Sequence, residues 1–172
     1  MRGLFATTPL NTSPAAASVV SNKTPTSAIV VNEIMPDPPS DHRNGEFIEL
    51  HNRSGSPMIL GGWKLRGGVE YDFGPGATVP AGGHLIVGGD PAFLQAVYPG
   101  ATVVGPWSGQ LGSRGDLIRL LDAFGNLADE VDYGVGGDWP ALAAAQGSSL
   151  ELLHPSMDNS RPSAWRASDE EA

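Results

Sequence analysis

The chain has 172 residues, no cysteine, and 10 lysines and arginines against 19 aspartates and glutamates, a formal net charge of -9. Without cysteine there is no disulfide framework, thiolate zinc site, iron–sulfur cluster or cysteine nucleophile, and the negative charge argues against nucleic acid and anionic bilayers as partners. With 23 glycines, 15 prolines and only 17% charged residues, the composition suits many short strands joined by tight turns.

Residues 1–27 hold mostly Thr, Ser, Ala, Pro and Asn, too few large apolar side chains to offset the entropy of ordering, so they are expected to form a flexible N-terminal arm. No secretory apolar block is visible in that stretch, and no run of about 18 apolar residues offers a membrane span. Residues 28–167 read as one all-β domain, and 168–172 as an acidic tail.

The first strand covers Ile29 to Met35. In a second, over 46–50, the period of two puts Ile48 and Leu50 on one face and Phe47 and Glu49 on the other, and the wholly apolar face is expected to look inward. A turn through Asn52, Ser54, Gly55 and Pro57 leads to short strands over 58–60 and 63–65, hinged at Gly61-Gly62. Trp63 shares a face with Leu65 and is expected to be a core residue sealed between two sheets. Val69, Tyr71 and Phe73 share the next face, and a strand over 85–87 follows the turn at 79–83. Asp90 is placed to cap one short helix with Pro91 at its first position, and Phe93, Leu94 and Val97 give it an apolar side until Pro99-Gly100 stops it. Strands over 102–104, 117–121, 127–133 and 149–153 complete the set, with Gly125 free to take positive φ in the loop at 122–126. About eight to ten antiparallel strands of this kind form a two-sheet sandwich.

The four histidines, His42, His51, His84 and His154, are scattered, and no nucleophile, metalloprotease or phosphate-loop pattern occurs, so no catalytic residue and no cofactor are expected. Asp37, Asp41, Asn44 and Glu46 crowd one loop, where hard oxygen ligands could hold calcium. Their spacing is not that of an EF-hand, and Asp37-Pro38-Pro39 equally suits a metal-free turn. Asp129, Glu130 and Asp132 are expected to be solvated and to guard a sheet edge. Arg114-Gly115-Asp116 spells an adhesion tripeptide, although Gly115 also suits a turn, and Asn11, Asn22 and Asn52 head glycosylation acceptor triplets. Trp107 and Trp139 fall in loops, where they could offer a stacking surface to a sugar or protein partner or pack over an end of the sandwich.

Asn32-Glu33-Ile34-Met35, the run from Gly45 to Asn52, and Leu60-Gly61-Gly62-Trp63-Lys64-Leu65 together resemble the opening of the lamin tail domain, an immunoglobulin-like β-sandwich. Phe73 and Pro80-Ala81-Gly82-Gly83-His84-Leu85 are similar to its aromatic-turn segment. Residues 116–122, Gly125-Asn126 and residues 129–133 are similar to its late hairpin, and 149–152 with 159–165 to the closing segment of bacterial versions. The resemblance spans residues 28–167. It implies an immunoglobulin-like fold and a non-catalytic binding or tethering module, outside the cell or at its surface, that contacts a protein or a surface polymer. A calcium-dependent adhesion module or a carbohydrate-binding module of a secreted protein is the alternative. The chain has no heptads, so the filament-forming role of nuclear lamins is not implied.

Overall fold

Alternation of apolar and polar residues drives the chain into β1 (Ile29–Met35), β2 (Phe47–Asn52), β3 (Met58–Ile59), β4 (Lys64–Gly67), β5 (Val69–Asp72), β6 (Thr78–Val79) and β7 (His84–Gly88). After helix α1 (Pro91–Val97) come β8 (Val103–Val104), β9 (Ser108–Gly109), β10 (Gly115–Leu121), β11 (Leu127–Gly134), β12 (Leu150–Leu152) and β13 (Trp165–Ala167). These elements belong to a computed structural model that describes residues 27–40, 42, 44–140 and 147–168. The arm expected over 1–27 and the tail over 168–172 lie outside the described residues, apart from Ser27 and Ser168.

The strands form a six-stranded sheet in the order β13-β12-β1-β2-β7-β8, a five-stranded sheet in the order β11-β10-β4-β5-β9, and a two-stranded ribbon of β3 and β6. Ile48 and Leu50 of β2 face inward as the alternation predicts, meeting Leu65, Ile118, Leu120 and Val131 in the main core between the sheets. One edge departs from the all-antiparallel expectation. β8 runs parallel to β7, with Ile86 opposite Val103, because α1 carries the chain back across the sheet before β8 begins. Asp90 caps that helix through a bond accepted from the Phe93 N–H at 3.0 Å. Leu94 of α1 packs with Met35, Phe47 and Ile86 in a second, smaller core. The face of β2 that carries Phe47 is therefore covered at one end rather than wet, and Gly88 permits it because any side chain there would run into Leu94.

Trp63 is half-buried and packs against the main core from its rim, not sealed between the sheets as expected. β4 begins one residue later, so Trp63 stays in the turn, where its backbone N–H donates to Leu60 O at 2.9 Å, and Leu65 takes the fully buried position.

The expectation that Asp129 is solvated is overturned. It is 2% exposed and its Oδ2 accepts from the Val31 N–H and from Asn159 Nδ2, both at 2.7 Å. The cause lies in β1: its register with β12 covers Glu33 and Ile34 only, and a bulge separates Val31 from Glu33. Val31 pairs with Leu50 of β2 but is left beyond the ladder with β12, and a buried amide without a partner is costly, so side chains supply on that side what a strand does not. Glu130 pairs with Arg119 at 2.7 Å, and Asp132 is exposed. Asn52 is also buried, its Nδ2 within 3.1 Å of the carbonyl oxygens of Ser56, Val79 and Pro80, so its glycosylation triplet is closed in the folded chain. Asn11 and Asn22 lie outside the described residues.

Candidate functional site

The segment that leads into β2, the link from β7 to α1 and the loop that carries Trp107 meet at one end of the sandwich around a cleft of about 530 Å³. Its polar lining is held by local bonds. Asp90 accepts the helix-capping bond through Oδ1 and a bond from Asn44 Nδ2 through Oδ2, each at 3.0 Å. Glu46 Oε2 accepts from the Leu111 N–H at 3.2 Å. Burial holds the Glu46 carboxyl above its ordinary range, the Leu111 bond opposes this, and the nearby Asp37 charge adds to it. The lining contains carboxylates, amides, prolines and an indole, and neither lysine, arginine nor histidine.

Trp107 is 8% exposed and belongs to the main core. Its side chain is therefore mostly covered by packing, the second of the two roles that the sequence leaves open. Its Nε1 edge is different. Nε1 is the atom that a methyl group on Gly89 would meet first, at 3.0 Å, and Gly89 lines the cleft. Trp139 is half-buried against the core, its ring centroid 6.3 Å from that of Trp165, so it too caps the sandwich.

Of the expected calcium ligands, Asn44 and Glu46 both line the cleft, and Asp37 is close enough to act on the Glu46 charge. Asp41 lies outside the described residues. Among the described residues no group of three His, Asp or Glu side chains is arranged to hold a metal ion. The carboxylate of Asp116, third residue of the adhesion tripeptide, turns back onto the backbone, accepting from Gly112 N at 3.1 Å and Leu117 N at 2.8 Å.

A second polar feature escaped the sequence. Glu33 stands opposite Glu49 on one side and Glu151 on the other, so three carboxylates cross the outer face of the six-stranded sheet. Burial pushes Glu33 up to about 7, a bond from Ser149 Oγ at 2.6 Å opposes the shift, and Glu49 and Glu151 add to it. Next to this row His84 Nε2 lies 3.8 Å from Glu49 Oε1, and the His84 ring lies over that of His51 at 4.5 Å. Burial, then the His84 charge, lowers the affinity of His51 for a proton. The other histidines are apart: His42 rests against Phe93, and His154 Nδ1 meets Ser156 Oγ two residues on at 2.7 Å. Glutamates at alternating positions in three separate strands were the available signal, but only the pairing order makes them neighbours.

A family model described as Lamin Tail Domain matches residues 22–135, which takes in β1 to β11 and leaves β12 and β13 beyond it. No curated protein matches the chain significantly.

Proposed function

Because the chain belongs to the lamin tail domain family, with its immunoglobulin-like sandwich, we propose that it is a non-catalytic module that binds a protein or a surface polymer and so tethers whatever it is joined to. The cleft at the end of the sandwich carries this conclusion. It is concave, of a volume usual for ligand sites, and its polar groups are fixed in place before any ligand arrives. Each oxygen of its Asp90 carboxylate already accepts a hydrogen bond, from the Phe93 N–H and from Asn44, which supports a binding role over an acid–base one. Consistent with the family resemblance, the module belongs outside the cell or on its surface.

The test is sedimentation of the purified chain with insoluble cell-surface polymers and with intact cells of its source, followed by an assay for newly released reducing ends. Retention in the pellet without release is the expected result. A chain that stays in solution with every polymer and cell type would overturn the binding role, and steady release of reducing ends would make the cleft an active site.

A further inference from the structure

We propose that the cleft beside Trp107 is a subsite for one uncharged sugar unit of a polysaccharide, with the indole Nε1–H donating to a sugar oxygen. The proposal rests on the binding role given above and names the ligand class for the same cleft.

Trp107 is more than nine-tenths buried, and its backbone N–H bonds to Gly88 O, while its indole N–H has no partner among the described residues. That N–H is not sealed from solvent: the unpaired, fully enclosed side-chain atom among the described residues is His51 Nδ1. Gly89 keeps the approach open, since a methyl group there would press on Nε1. A donor without a protein partner, beside a polar cleft and close to a glycine, is free to bond a ligand in place of water.

The remaining lining selects what can meet it. Glu46 and Asp90 bring negative charge with no cation among the lining residues, which disfavours phosphate, sulfate or uronate. A lysine or arginine side chain would suit the carboxylates, but it carries donors only and cannot accept from the indole. A sugar hydroxyl donates and accepts through one oxygen. Neighbouring hydroxyls on one ring can take the Nε1–H while giving to Glu46, whose Oε2 is held by the Leu111 N–H, and the exposed Gln110 amide can bind at the rim.

The probes are methyl glucoside, methyl mannoside, methyl galactoside and N-acetylglucosamine, titrated into the ¹⁵N-labelled chain while the four tryptophan indole N–H signals are followed. The Trp107 signal is assigned by Trp107→Phe. At least one sugar is expected to move that signal saturably and leave Trp63 unmoved. Gly89→Ala and Gln110→Ala should each weaken that sugar about tenfold, the worth of one good hydrogen bond. Gln110 is exposed, so its variant folds even if a core variant does not. No movement with any of the four sugars, or equal movement with a lysine-rich peptide, would overturn the proposal. Retention on a polymer that survives both Trp107→Phe and Gly89→Ala would overturn the sugar subsite and leave the binding role standing, whereas loss of all retention in the unaltered chain would remove the binding role itself.

Discussion

Asp129 and Val31 are 98 residues apart in sequence, yet the carboxylate of one accepts the backbone N–H of the other at 2.7 Å. This bond joins β11 of one sheet to β1 of the other. Asn159 completes it, donating to the same carboxylate oxygen at 2.7 Å and to Val31 O at 3.3 Å, while its own carbonyl accepts from the Trp165 indole at 2.9 Å. The closing segment is thus fastened to the sandwich by polar groups.

Removing the carboxylate strands two buried donors at once. Asp129→Ala is expected to cost about 3 kcal/mol in denaturant unfolding, since bonds to a charged acceptor are each worth roughly 1.5–3 kcal/mol. Asn159→Ala should cost less, and the double variant little more than Asp129→Ala alone, because the two share one network. Additive losses in the double variant would show that the residues act independently.

Glu33 makes stability depend on pH. Its folded value of about 7 stands above the ordinary 4.5, so the unfolded chain gives up this proton first as pH rises. Its contribution is fully present below pH 4.5, is lost as pH rises to about 7, and is level above that. Glu33→Gln keeps an acceptor for Ser149 without the charge. The variant should match the unaltered chain near pH 4 and exceed it near pH 8 by no more than about 3 kcal/mol, each tenfold change in proton affinity being about 1.4 kcal/mol. Equal stability of the two at pH 8 would contradict the burial of this charge.

Asn52, the last residue of β2, braces the turn that follows it and the one before β7, its amide meeting three carbonyls while Oδ1 accepts from the Ser54 N–H at 3.0 Å. Asn52→Ala should lower the midpoint by the equivalent of about 2–4 kcal/mol through unsatisfied buried groups. Asn52→Asp should also destabilise, since a carboxylate would face carbonyl oxygens. A near-neutral Asn52→Ala in thermal unfolding would rule out this bracing role.

Calcium is expected to leave the melting midpoint unchanged relative to EDTA, because among the described residues no three His, Asp or Glu side chains are arranged to hold a metal ion. A ligand that binds only the folded chain must raise the midpoint, so a rise with about 5 mM calcium would assign the ion to the Asp37–Glu46 loop.

The inward face of β2, the cap and first turn of α1 and the shared face of Val69, Tyr71 and Phe73 were legible because each depends on neighbours within a few residues. Period-two alternation and a capping carboxylate are local effects. β6, β9 and β13, at two or three residues each, are too short to show a period, and exist because a longer strand offers them a partner. Asp129 looked like edge protection for the same reason. Its two acidic neighbours are on the surface, and nothing within ten residues announces that a bulge in β1 will need a carboxylate.

By itself, the sequence determined an all-β sandwich with one capped helix, without cysteine chemistry and with an acidic surface, since those follow from composition and from spacing along the chain. The tertiary structure alone decided that Trp107 is buried beside a cleft with its Nε1 next to Gly89, that three glutamates line up across separate strands, and that Asp129 goes inside. Each of these is a relation between segments remote in sequence, and strand register and sheet stacking, which no local pattern encodes, set the distances between them.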